Sequence, residues 1–137
     1  GACPGQVGGL LMLDPDRAVA AAQNGGDVVL ARAVTSPADL HGMIAARGIV
    51  TATGGSTSHA AVVARALGTA CVVGAGEMAV DPTARTLTIG SRVLHEGEEV
   101  SLDGASGELF AGRMATSTPA VRWYAIVRAS AKRLASS

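Results

Sequence analysis

The sequence predicts an α/β domain built as a β/β/α sandwich on a mixed sheet, and three observations point there. Between residues 8 and 74, short β-branched runs alternate with helix-like segments that open on Ser or Asp and close on Gly. After residue 85 the order changes to short strands joined by glycine turns. Hydrophobic residues make up 48% of the 137 positions and aromatic residues only 2%, so the core has to be built from Val, Leu, Ile and Ala. A chain of this length suits one ordinary domain and can bury a core without staples.

The elements follow in order. "GGLLML" (8–13) reads as a buried strand. Asp14 before Pro15 is an N-cap, and "PDRAVAAAQNGG" is a helix stopped by glycine. "DVVLARAV" (27–34) is a β-branched strand, and "TSPADLHGMIAARG" (35–48) repeats the pattern of Ser cap, Pro, helix and glycine. "GIVTAT" (48–53) is a strand, "SHAAVVARALG" (58–68) a helix closed by Gly68, and "ACVVG" (70–74) a strand. "RTLTIG" (85–90), "RVLHEGEEVSLDG" (92–104) and "GELFAG" (107–112) are the strands of a β-rich second half, which argues against a plain doubly wound sheet. Two units result: a domain over 1–112, and a linker with a C-terminal amphipathic helix over 113–137. That basic helix holds the only Trp and Tyr and reads as a helix docking on its own or a neighbouring domain, or as a membrane-surface or groove-binding segment.

Lys plus Arg number 11 and Asp plus Glu number 11, so no net positive charge exists to hold nucleic acid. The start has no basic leader, and no stretch of about 18 apolar residues suggests a membrane span. Cys3 and Cys71 form no CxxC, so a reducing cytoplasm is the default compartment. Cys71, within an apolar run, reads as a small buried hydrophobe. His41, His59 and His95 show no metal-ligand spacing, and no GxSxG elbow accompanies them.

The informative stretch is "TATGGSTSHAAVVARALG" (51–68). Thr57 or Ser58 is a natural N-cap, which puts His59 in the first turn of an apolar helix. Free N–H groups and the positive end of the helix attract an anion there. Gly54 and Gly55 let backbone approach closely, and Ser56, Thr57 and Ser58 supply hydroxyl donors. Arg65 has two readings: it snorkels to the surface, or it reaches toward phosphate. These features suit a histidine that accepts a phosphoryl group. On the residues alone, a structural histidine and a general anion-binding loop remain open.

At these residues the chain resembles a known family. "GGSTSHAAVVARALG" is similar to the phosphohistidine signature of enzymes that use or make phosphoenolpyruvate, GG-x-[ST]-x-H-x-[AS]-x-x-[AS]-R. "TSPADLHGMIAARGIVTATGG", "PGQVGG", "ACVVG" and "RVLHEGEEVSLDGASGELFAG" look closest to pyruvate, phosphate dikinase. The resemblance spans 1 to about 112 and is most specific over 35–74. It implies a swivelling domain that carries phosphoryl groups on His59, from an ATP-grasp domain to a TIM-barrel domain where pyruvate becomes phosphoenolpyruvate. It implies Mg2+ held by those partner domains, no metal site here, a cytoplasmic location, and a parent able to form a homodimer. Thr57 matches a threonine modified by a regulatory kinase/phosphatase in some dikinases. Ser56 departs from the Met common in the family. Alternatives are the carrier domain of phosphoenolpyruvate synthase, of enzyme I of the sugar phosphotransferase system or of an antibiotic phosphotransferase, and a non-catalytic interaction module. Ser58 argues against the synthase, which commonly has Cys there. Alone, the domain is expected to be inactive, since it contains neither catalytic partner.

Overall fold

A computed structural model describes residues 6–55, 57–76, 78–104 and 107–112. Its elements are β1 (Gln6–Met12), α1 (Pro15–Gln23), β2 (Val28–Arg32), a 3-10 turn (Pro37–Asp39) running into α2 (Leu40–Ala45), β3 (Gly48–Thr51), α3 (His59–Leu67) and β4 (Ala70–Val72). Then follow β5 (Met78–Asp81), β6 (Thr86–Ile89), β7 (Arg92–His95), β8 (Glu99–Asp103) and β9 (Glu108–Ala111). One six-stranded sheet has the order β4-β3-β2-β1-β8-β9, and a second has the order β5-β6-β7. Strands β1 to β4 pair in parallel, whereas β8 and β9 join antiparallel, so the large sheet is mixed.

The core divides into two layers, as a β/β/α sandwich requires. Leu11, Val29, Val50, Val72 and Leu102 of the large sheet pack with Met78, Leu87, Ile89 and Leu94 of the small one. The opposite face, with Val28, Leu30, Ile49 and Cys71, packs under Ala18, Met43, Ala60, Ala61 and Ala64 of the helices. Strands β2 and β3 are therefore buried on both faces, which explains their unbroken apolar runs. Each large side chain buried this way contributes about 1.5–3 kcal/mol before entropy is set against it. The helix layer is thin because its contact residues are mostly alanines. At one crossing α2 meets α1 backbone to backbone: a Cβ on Gly42 would lie 2.6 Å from Pro15 Cα.

The capping chemistry follows the sequence. Asp14 accepts the Arg17 N–H at 3.0 Å, and Pro15 opens α1. Gly68 closes α3 in the left-handed region at φ 69. Three features differ from the sequence reading. The expected helix within 35–48 is shorter, a 3-10 turn and six α-helical residues, because Arg47 N–H already bonds Val28 O as the chain turns back into the sheet. Met78–Asp81 is a strand that the sequence reading did not assign; its four residues alternate too weakly between Gly76 and Pro82. The 92–104 segment is two strands in different sheets, divided at Glu96–Gly97. Glu96 anchors that crossing. Its carboxylate, 8% exposed, accepts Arg17 Nε at 2.6 Å and the Leu13 N–H at 3.0 Å. The bond to Glu96 raises the Arg17 pKa, against a smaller opposing effect of burial.

The linker and C-terminal helix expected over 113–137, and Cys3, lie outside the described residues. No helix among the described residues is long and apolar enough to cross a membrane.

Candidate functional site

The site lies where the parallel strands end at their carboxyl side, the usual position for ligands in α/β sheets. Beyond the formal ends of β2 and β3 the two chains stay paired: Ala52 N donates to Arg32 O at 3.2 Å, and Thr53 N to Ala33 O at 3.1 Å. Thr53 Oγ1 also donates to Ala33 O, at 3.2 Å. The pairing carries the segment after β2 alongside the loop that leads into α3.

That loop is shaped by Gly54 and Ser58. Gly54 has φ 112, and a Cβ there would sit 2.9 Å from Ser58 Cβ. Ser58 is the N-cap of α3: its Oγ accepts the Ala61 N–H at 3.3 Å, and its N–H donates to Gly55 O at 3.0 Å. His59 is the first residue of the helix. The N–H groups of a first turn have no partner within the helix and carry its partial positive charge, so a small anion is favoured there.

Thr35, 6% exposed, reaches His59 from the neighbouring segment, with Oγ1 3.1 Å from Nδ1. One ring nitrogen is thereby engaged with protein. His59 itself is only half-buried. Two large apolar side chains close in sequence to these residues are exposed: Val34, next to Thr35, at 61%, and Val62, one helical turn from His59, at 53%.

The expected site residues separate into groups. Gly54, Gly55, Thr57 and Ser58 lie in the approach to α3, and His59 is its first residue. Gly55 has open space where a Cβ would go, so its own position does not demand glycine sterically, and Thr57 is exposed. Ser56 lies outside the described residues. Arg65 sits in the last turn of α3, about 9 Å along the axis from His59. His41 pairs with Asp16 at 2.6 Å and His95 with Glu98 at 3.3 Å, each apart from the loop. Among the described residues, no group of three or more His, Cys, Asp or Glu could hold a metal ion.

Sequence reasoning missed Thr35, and with it Arg32 and Asp39 behind it. No local spacing marks a threonine 24 residues before the histidine. The available signal was topological: segments leaving adjacent parallel strands open on the same crevice.

A family model described as "PEP-utilising enzyme, mobile domain" matches residues 25–107. Pyruvate, phosphate dikinase of Clostridium symbiosum is 45% identical over 120 residues, which is 88% of this chain and 14% of that protein. The enzyme of the same name from Rhizobium meliloti (strain 1021) is 47% identical over 113 residues, 82% of this chain and 13% of its own. Chloroplastic pyruvate, phosphate dikinase 1 of Arabidopsis thaliana is 44% identical over 120 residues, 88% and 12% respectively. The chain thus spans about one-seventh of the length of these relatives, which contain much besides this domain.

Proposed function

From the premise that the chain belongs to the mobile-domain family of PEP-utilising enzymes, we propose that it carries phosphoryl groups on His59 within a pyruvate, phosphate dikinase-like enzyme. The observation that carries the reading is the Thr35–His59 contact at the start of α3. With Nδ1 occupied by the Thr35 hydroxyl, Nε2 is the nitrogen left for attack. Attack needs its lone pair, so the ring proton belongs on Nδ1, donated to Thr35 Oγ1. In the transfer step the Nε2–P bond forms as the bond from phosphorus to the leaving oxygen breaks, and the electron pair leaves with that oxygen. The helix start and the hydroxyls of Thr57 and Ser58 then face the anionic phosphoryl group. Reversal toward a second acceptor returns the imidazole to its first state.

The partners in this reading are an ATP-grasp domain that phosphorylates His59 and a TIM-barrel domain that passes the group to pyruvate, giving phosphoenolpyruvate. Support comes from the names of the relatives and from their much greater length. Magnesium would supply charge neutralisation for such chemistry, and in this reading it is held by those partner domains. Thr57, exposed two residues before His59, is the regulatory candidate, because a phosphate on it would repel a second anion at His59. The reading places the carrier domain at 1–112 and the domain in the cytoplasm.

The test uses the full-length protein, incubated separately with ATP labelled at the β-phosphate and with labelled phosphoenolpyruvate. Acid-labile label on His59 from both is the expected result. Label from phosphoenolpyruvate alone would move the reading to an enzyme I-like carrier. No label from either would leave a non-catalytic interaction module as the better account.

A further inference from the structure

We propose that Asp39 is a positioning residue for His59, acting through the backbone of Ser36 and the hydroxyl of Thr35; the proposal rests on the carrier reading above. Asp39 is 4% exposed, and its two carboxylate oxygens face different ways. Oδ2 accepts the Ser36 N–H at 2.9 Å. Oδ1 lies 3.4 Å from Arg32 Nε, an ion-pair distance without hydrogen-bond alignment, and that Nε is buried with no hydrogen-bond partner among the described residues. Arg32 in turn donates from Nη1 to Leu13 O at 2.9 Å. A line of fixed groups therefore runs from the end of β1 through Arg32 and Asp39 to Ser36.

The residue before Ser36 is Thr35. Upstream, Ala33 O is held by both the N–H and the hydroxyl of Thr53. Downstream, the Thr35–Ser36 peptide is held by Asp39. Pinned on both sides, Thr35 presents its Oγ1 to His59 Nδ1 in one direction. Such supporting bonds orient a functional ring and select its tautomer. Asp39 thereby keeps the proton on Nδ1 and the lone pair on Nε2. Without the pin, the threonine is free to turn away or to donate to Nδ1 itself, and the proton is then shared between Nδ1 and Nε2, so that only part of the population can attack.

The test reads the tautomer and not only turnover. Side-chain 15N spectra are recorded on the full-length protein labelled at histidine, with the His59 signals assigned by their loss in His59→Gln. The expected wild-type result is a protonated-type Nδ1 and an unprotonated-type Nε2. Asp39→Asn keeps an acceptor for the Ser36 N–H and retains that pair, whereas Asp39→Ala moves both signals toward averaged values. A wild-type proton on Nε2, an unchanged pair in folded Asp39→Ala, or an Asp39→Asn as disturbed as Asp39→Ala would each overturn the proposal. Should Asp39→Ala not fold, the wild-type tautomer and the Asp39→Asn spectrum still decide. The spectra need no phosphoryl transfer, so absence of label at His59 in the wild type sinks the carrier reading on its own.

Discussion

Two adjacent glycines offer a sharp test, because the structure assigns them opposite consequences. Gly54 sits at φ 112, where a residue with a Cβ is strained, and such conformations cost of order 1–3 kcal/mol. The added Cβ would also lie 2.9 Å from Ser58 Cβ and 3.0 Å from Ser58 Oγ, so Ser58 has to shift. Shifting it loosens the N-cap bond to Ala61, a further loss of about 1 kcal/mol. Gly54→Ala is therefore expected to destabilise the domain by about 2–4 kcal/mol. Gly55 has open space where a Cβ would go and no left-handed φ, so Gly55→Ala should stay within about 0.5 kcal/mol of wild type. Urea unfolding at constant m-value, followed by helical circular dichroism, measures the difference. The rate of His59 labelling should fall in Gly54→Ala beyond what instability explains, because the same shift tilts the start of α3. Equal effects of the two substitutions, or a stable Gly54→Ala, would refute the reasoning about the loop.

Other outcomes follow from the same contacts. Thr35→Val keeps shape but deletes the hydroxyl on Nδ1; a bond of about 1 kcal/mol corresponds to roughly fivefold, so transfer should slow by about five- to tenfold with melting little changed. Rapid-quench labelling checks this, and Thr35→Ser should recover most of the rate. His59→Ala should abolish labelling while cooperative melting persists, because the half-buried ring lies at a helix start outside the core; loss of cooperative melting would count against a chemical role. Arg85 is the one non-glycine among the described residues with positive φ, at 59, and it is exposed in the turn between β5 and β6. Arg85→Gly should raise stability by about 0.5–1 kcal/mol, read as a higher urea midpoint.

Much of this protein is set locally. Asp14 before Pro15, Ser58 before His59 and Gly68 after Leu67 mark helix ends through bonds that span three or four residues, so composition and spacing suffice to read them. The apolar runs of β2 and β3 announce burial on both faces, and the later glycine turns announce an antiparallel half. The signature around His59 and the relation to PEP-utilising enzymes were legible in one contiguous stretch. Three matters needed the tertiary structure. Whether "RVLHEGEEVSLDG" stays in one sheet depends on Glu96 meeting Arg17, 79 residues away in sequence. Met78–Asp81 becomes a strand because β6 supplies its hydrogen-bond partners, and its own propensity is too weak to show it. Thr35, Asp39 and Arg32 converge behind His59 only once β2 and β3 lie side by side, because contacts across parallel strands leave no periodic trace in either strand alone.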